Sequence, residues 1–243
     1  EDEYIFPLSM PAGLPPEEQI KVAQLENPED VAYREYLVKS YGKYKQMVSG
    51  IHYNFQLDPS AVKALFEAQT EEKNLFNFQN NLYLKIAKNF LRYQWILLYL
   101  LAATPTVDEN YFREGSPLRP QQYVRSLRSS PFGYVNDPEI KVSFDSLKAY
   151  VDSLEYWVNS GKLIAEKEFY SNVRLRGAKK ARDLLQSGIQ YLEFRLFDLN
   201  PFAACGLLLE DAKFIHYFIL LMAWLEDTAD QEAIELGKGR LAE

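Results

Sequence analysis

The sequence predicts an α+β fold, rich in helix, on three observations. Long stretches repeat apolar residues at helical spacing, and between them shorter stretches alternate apolar and polar residues. The alternating stretches keep one polar face, which describes a sheet whose back packs on helices. Finally, 243 residues with 47% hydrophobic and 25% charged content suffice for one large core or two modest ones.

The elements follow in order. Pro7, Pro11, Pro15 and Pro16 deny a helix to the opening, which reads as an extended segment laid over something else. Asn27-Pro28-Glu29-Asp30 supplies a cap, a proline for the first helical position and acids for the dipole, and Gly42 ends that helix. Gln46 to Leu57 alternates: Met47, Ile51, Tyr53, Phe55 and Leu57 form a core face, while Gln46, Gly50, His52, Asn54 and Gln56 form a polar one. Asp58-Pro59 opens a helix through Gln69, and a longer one runs from Leu75 to Leu101, stopped by Thr104-Pro105. Ile140 to Phe144 and Leu163 to Tyr170 are weaker strand candidates, with an Asp145-capped amphipathic helix between them that ends near Gly161. Tyr191 to Leu199 alternates again, with Leu192, Phe194 and Leu196 opposite Tyr191, Glu193, Arg195 and Phe197. Asp211 to Glu226 is the last clear helix.

The 27 Lys and Arg against 34 Asp and Glu leave a net charge of −7, which argues against a nucleic-acid partner. The longest uncharged apolar runs, Trp95 to Ala103 and Tyr217 to Leu225, fall short of the roughly 20 residues that span a bilayer. A single cysteine, Cys205, permits no intrachain disulfide, and a reducing cytoplasm is the expected location. Seventeen Tyr and 15 Phe suit both core packing and the walls of a ligand pocket.

Two histidines differ in setting. His52 stands on a polar strand face, where imidazole can ligate a metal or carry a proton; His216 sits in an almost wholly apolar helix and is expected in the core. Glu193 and Arg195 point the same way from one strand, about 7 Å apart. Taken alone they make an ion pair on a solvated face; together with His52 and Asn54 they offer both a metal ligand set and a phosphate grip. Arg125 and Arg128 before Gly133-Tyr134, and Arg174 and Arg176 after Tyr170, read as loop arginines able to hold a carboxylate or phosphate. Dinucleotide-binding, P-loop and nucleophile-elbow motifs are absent.

Four ordered motifs resemble bacterial glutamate-cysteine ligase, also called gamma-glutamylcysteine synthetase. They are Gln46-Met-Val-Ser-Gly-Ile-His52-Tyr-Asn54-Phe, Ser126-Leu-Arg128 with Phe132-Gly-Tyr134-Val-Asn136, Glu166-Lys-Glu168-Phe-Tyr170, and Tyr191-Leu-Glu193-Phe-Arg195-Leu-Phe-Asp198-Leu-Asn-Pro201-Phe202. Tyr4-Ile-Phe-Pro-Leu-Ser-Met-Pro and the Lys162 to Gly177 stretch look most like the bifunctional form, fused to a glutathione synthetase module. The resemblance implies part of a glutamine synthetase-like antiparallel sheet backed by helices, incomplete at both ends, with residues 1–243 forming a partial catalytic domain. It implies ATP-dependent joining of L-glutamate to L-cysteine through a gamma-glutamyl phosphate, with Mg2+ neutralising the developing charge. By the same resemblance His52 and Glu193 hold metal, Arg195 faces the nucleotide and phosphoryl group, Arg128 grips glutamate, Tyr134 and Tyr170 shape the cysteine pocket, and Gln46 and Asn54 are further contacts.

One departure bears on activity. Family members carry acidic strands ahead of this segment that supply most magnesium ligands, and this chain has no counterpart, so the expectation is a fragment that is inactive by itself. Glu166, Glu168 and Asp198 are the reserve acids. Ala203-Ala204-Cys205 replaces a turn that usually contains Ser-Pro. Two other readings stay open: a noncatalytic nucleotide or amino-acid binder, and a related ligase with another amine acceptor.

Overall fold

Capping chemistry sets the first helix. Asn27 stays extended and its side chain accepts the Glu29 N–H, Pro28 takes the first helical position, and Gly42 at φ 83° ends α1 (Pro28–Tyr41). The computed structural model describes residues 6–112, 123–133, 135–228 and 231–242. In it the chain forms two compact units.

The first unit comprises Glu1–Ile51, Leu98–Val135 and Phe197–Leu208. Its core gathers Met10, Leu14, Tyr44, Tyr111 and Leu127, with Val48, Val107, Phe112 and Phe132 packed against them. From Phe6 the proline-rich opening is irregular apart from one 3-10 turn at Glu17–Gln19. It is tied down at Ser9, whose carbonyl accepts the Ser49 N–H at 2.9 Å and whose hydroxyl accepts the Leu199 N–H at 2.7 Å. The short helix α2 (Lys43–Gln46) also belongs here.

The second unit, His52–Leu97, Asn136–Leu196 and Leu209–Glu243, carries the sheet. Strands β1 (Ile51–Phe55), β2 (Val173–Arg176) and β3 (Tyr191–Phe197) lie in the order β1-β3-β2. Strands β2 and β3 are antiparallel, with Arg174 opposite Glu193 and Arg176 opposite Tyr191. Helices α3 (Pro59–Ala68), α4 (Leu75–Leu101), α5 (Leu147–Asn159), α6 (Leu184–Ser187), α7 (Leu209–Trp224) and α8 (Gln231–Ala242) complete the order. The inward face of β3 packs on α4 through Phe194 and Phe90, ring centroids 4.5 Å apart and both rings fully buried. Helix α7 meets β1, where the Tyr53 hydroxyl donates to the Ala212 carbonyl. Buried Asn89 of α4 donates to the carbonyls of Met222 and Glu226, and its own oxygen accepts from Thr228, so the end of α7 is closed onto α4 by satisfied amide bonds.

Several expectations are corrected. The strand foreseen over Gln46 to Leu57 spans only Ile51–Phe55, because Met47 and Val48 donate to the carbonyls of Tyr44 and Lys45 and keep that backbone in a turn; Gln46 therefore lies in α2 and on no strand face. Ile140 to Phe144 is irregular, since its backbone bonds go to α5 side chains: Trp157 Nε1 donates to the Lys141 carbonyl and Ser153 Oγ accepts the Ser143 N–H. Leu163 to Tyr170 contains the 3-10 turn Glu166–Glu168, where the Glu168 carboxylate accepts the Ile164 N–H. The strand lies just beyond it, in β2, so Arg174 and Arg176 are strand residues rather than loop arginines. Ser146, not Asp145, caps α5: its hydroxyl accepts the Ala149 N–H, while Asp145 takes the Ser143 hydroxyl. His216 is exposed, 5.6 Å from the Phe55 ring, because the apolar helix α7 buries only the face of Ile215, Phe218, Ile219 and Met222.

Candidate functional site

Strand alternation places Glu193 and Arg195 on one face of β3, and the register sets Arg174 directly opposite Glu193 with Arg176 two pairs further along, on the same face. Arg176 grips one carboxylate oxygen, Oε2, through Nε at 2.8 Å and Nη2 at 2.7 Å. The other oxygen, Oε1, is buried and has no hydrogen-bond partner. His52 Nδ1 stands 3.7 Å from it and Arg195 Nε 3.5 Å. Arg195 Nε also donates to His52 Nε2 at 3.1 Å, so the neutral imidazole carries its proton on Nδ1, toward Glu193. Asn54 is exposed, two residues along β1 from His52 on the same face.

The charge here opposes that of the whole chain. Arg176 and Arg195 approach the one carboxylate and Arg174 stands opposite it in register, which makes the face cationic and suited to anions. Burial pulls the Arg174 guanidinium down to about 10, with the charges of Arg195 and Arg176 adding to the shift. Arg174 is held nonetheless, donating to the carbonyls of Phe169 and Lys167. Those bonds anchor the segment that ends in Tyr170, and Asn136 ties it down again by accepting the Tyr170 N–H and donating to the Glu168 carbonyl. The Arg195 guanidinium lies 6.0 Å from the Tyr170 ring centroid.

A second cluster belongs to the first unit. Arg128 Nη1 lies 3.5 Å from Oδ1 of Asp198, a carboxylate closed off from solvent. Gln46, at the end of α2, has a buried amide nitrogen, Nε2, with no hydrogen-bond partner. Tyr134 lies outside the described residues.

The structure thus brings His52, Glu193, Arg195 and Tyr170 together in the second unit, while Arg128 and Gln46 belong to the first. Sequence reasoning missed the grip of Arg176 on Glu193 and the pairing of Asp198 with Arg128. The available signals were the alternation Val173-Arg-Leu-Arg176 and a lone acid within the apolar run Leu196-Phe-Asp198-Leu199. Of the reserve acids, Glu166 accepts the Ala181 N–H and Glu168 the Ile164 N–H, so both serve the backbone. Among the described residues no three His, Cys, Asp or Glu side chains gather in a way that could hold a metal ion.

The family model for glutamate-cysteine ligase matches residues 1–162 and 156–239. Over all 243 residues the chain is 75% identical to the glutathione biosynthesis bifunctional protein GshAB of Mannheimia succiniciproducens, covering 32% of that protein. It is 45% identical over 96% of its length to the protein of the same name from Enterococcus faecalis, covering 31%. The chain therefore spans about a third of the length of these relatives. Among solved structures, a bifunctional glutathione synthetase from Pasteurella multocida superposes with a TM-score of 0.90 at 73% identity, covering all of this chain and 31% of that one. A glutamate–cysteine ligase from Francisella tularensis in complex with AMP gives a TM-score of 0.73 at 25% identity, covering 88% of this chain and 49% of that one.

Proposed function

The chain belongs to the glutamate-cysteine ligase family, and from that premise we propose that it builds part of a module that joins the gamma-carboxylate of L-glutamate to the amine of L-cysteine, driven by ATP. A carboxylate oxygen of glutamate attacks the terminal phosphorus of ATP and ADP leaves. The cysteine amine then attacks the carbonyl carbon of the acyl phosphate, phosphate departs, and the nitrogen gives up a proton. The bifunctional names of the relatives support a glutathione-forming activity outside these residues. A lone exposed cysteine fits a cytoplasmic location, and no helix of the described residues is long and apolar enough to cross a membrane.

The observation that carries the reading is the cationic face around Glu193 in an otherwise acidic chain. Arg195 is assigned to the charge that develops on the phosphoryl oxygens, where a preorganised guanidinium acts without reorganising. Arg176 holds Glu193, and Tyr170 and Tyr134 are assigned to the cysteine pocket. Arg128 is assigned to the glutamate carboxylate, with Gln46 and Asn54 as further contacts; the unpartnered Gln46 Nε2 is a donor suited to an acceptor on a ligand.

Magnesium is the ion the family implies, and the residues present test it. Glu193 Oε1, a buried acceptor with no hydrogen bond, suits a cation. The rest does not: His52 Nε2 already accepts from Arg195, Arg176 occupies Oε2, and no third acid, histidine or cysteine joins them among the described residues. Mg2+ asks for near-octahedral oxygen coordination. By themselves these residues do not complete a magnesium site: Glu193 Oε1 would supply one oxygen to an ion whose other ligands come from elsewhere, where the ion would neutralise phosphoryl charge, and the remaining roles assigned to this chain fall to its arginines.

The test exchanges this chain for the matching third of the Pasteurella multocida relative. The folded chimera should form gamma-glutamylcysteine and phosphate in equal amounts from glutamate, cysteine and MgATP, while the 243 residues alone should release no phosphate. A folded chimera without that product overturns the reading, and turnover by the chain alone overturns the incompleteness of its metal site.

A further inference from the structure

We infer that Asp198 is the positioning residue for Arg128, setting its guanidinium in one pose before glutamate arrives. The inference rests on the assignment of Arg128 to glutamate and deepens it. Asp198 follows the last residue of β3, and its side chain is 0% exposed. Oδ2 accepts the Thr104 hydroxyl at 2.7 Å and the Ala103 N–H at 3.0 Å, and Oδ1 accepts the Ser126 hydroxyl at 3.1 Å. Thr104 and Ser126 form a parallel bridge, and Leu127 donates its N–H to the Thr104 carbonyl at 2.9 Å. One buried carboxylate therefore fastens the two segments that meet immediately before Arg128, and the same carboxylate faces the guanidinium.

The backbone closes in on Arg128 as well. A Cβ on Gly50 would fall 2.2 Å from Nη2, 2.3 Å from Cζ and 2.4 Å from Nε of Arg128, so any other residue there would push the guanidinium aside. A Cβ on Gly133 would fall 1.9 Å from the Arg128 carbonyl oxygen. The side chain keeps 15% of its exposure, which leaves an edge for an anion. An arginine on a flexible stem must otherwise be ordered by its ligand; here folding has already ordered it, so binding does not bear that cost. Asp198 itself, closed off from solvent, can reach a ligand only through Arg128.

The chimera carries the test, with separate kinetics for glutamate and ATP. Asp198→Asn keeps the shape, removes the charge facing Arg128 and exchanges one accepting oxygen for an NH2 group; it should raise the glutamate KM about tenfold or more, with kcat and the ATP KM within about twofold. Gly50→Ala reaches the guanidinium without removing a buried charge and should give the same signature, so it decides the matter if Asp198→Asn fails to fold. Folded variants with an unchanged glutamate KM overturn the inference, and so does a uniform loss in kcat and both KM values, which marks a merely structural role. Arg128→Ala separates the two levels: an unchanged glutamate KM there overturns the assignment of Arg128 itself.

Discussion

Glu193 and Asp198 are both buried carboxylates that face arginines, one within β3 and one just past its end, yet their oxygens are used differently. Both oxygens of Asp198 are taken, by two hydroxyls and a backbone N–H in addition to Arg128. Glu193 gives Oε2 to Arg176 and keeps Oε1 buried without a hydrogen bond. A buried acceptor left unsatisfied is costly in a folded protein, and persists where a ligand completes it. A filled carboxylate stiffens its surroundings; a half-filled one holds capacity for chemistry. On this contrast we propose positioning for Asp198 and a part in the reaction for Glu193.

The largest effect is expected on neutralising the half-filled carboxylate. Glu193→Gln in the chimera should lower kcat by about 10²–10³, or about 3–4 kcal/mol of barrier, the size expected when one preorganised electrostatic group is lost. Its glutamate KM should move little, the reverse of Asp198→Asn. Steady-state kinetics on the two variants side by side decides it: normal turnover, or a pure glutamate KM effect, would remove the distinction.

A smaller effect probes the floor beneath the Glu193 cluster. Burial raises the Tyr150 phenol to about 12, with the nearby Arg174 and Arg176 charges partly opposing the shift. An unfolded tyrosine ionises near pH 10, so the fold holds the phenol neutral, and its contribution is fully present below about pH 10 and lost as pH rises through about 12. The loss should amount to roughly 2–3 kcal/mol. Denaturant unfolding of the chain across that window should show the loss, and Tyr150→Phe should reduce it. An identical alkaline loss in both would mean the phenol is not held as described.

The smallest effect is a control outside both clusters. Ser146→Ala removes the hydroxyl that accepts the Ala149 N–H and should cost about 1 kcal/mol of unfolding free energy. Neither kcat nor either KM should change. A kinetic effect there would show that loss of stability alone perturbs the clusters, and would weaken the contrast drawn from Glu193 and Asp198.

Features that a few neighbouring residues decide were legible along the chain. Asn27 and Asp58 cap their helices as their chemistry requires, α4 runs over Leu75–Leu101 as its spacing indicates, and the period of Tyr191–Phe197 puts Glu193 and Arg195 on one face. His52 and Glu193 were legible as neighbours because strand period and family motif agree, and their side chains approach to 3.7 Å. The rest emerged only on folding, because it depends on which distant group completes a hydrogen bond. Four residues of β2 carry too little periodicity to be distinguished from a loop, and pairing with β3 makes them a strand. An apolar helix reads as buried all round until the packing leaves one side of α7, and His216 with it, in solvent. Asp198 and Ser126 are 72 residues apart, and no local pattern announces that a lone acid in an apolar run will close on Thr104, Ser126 and Arg128. A carboxylate without solvent must find donors wherever the fold provides them, and that requirement is met in three dimensions rather than along the chain.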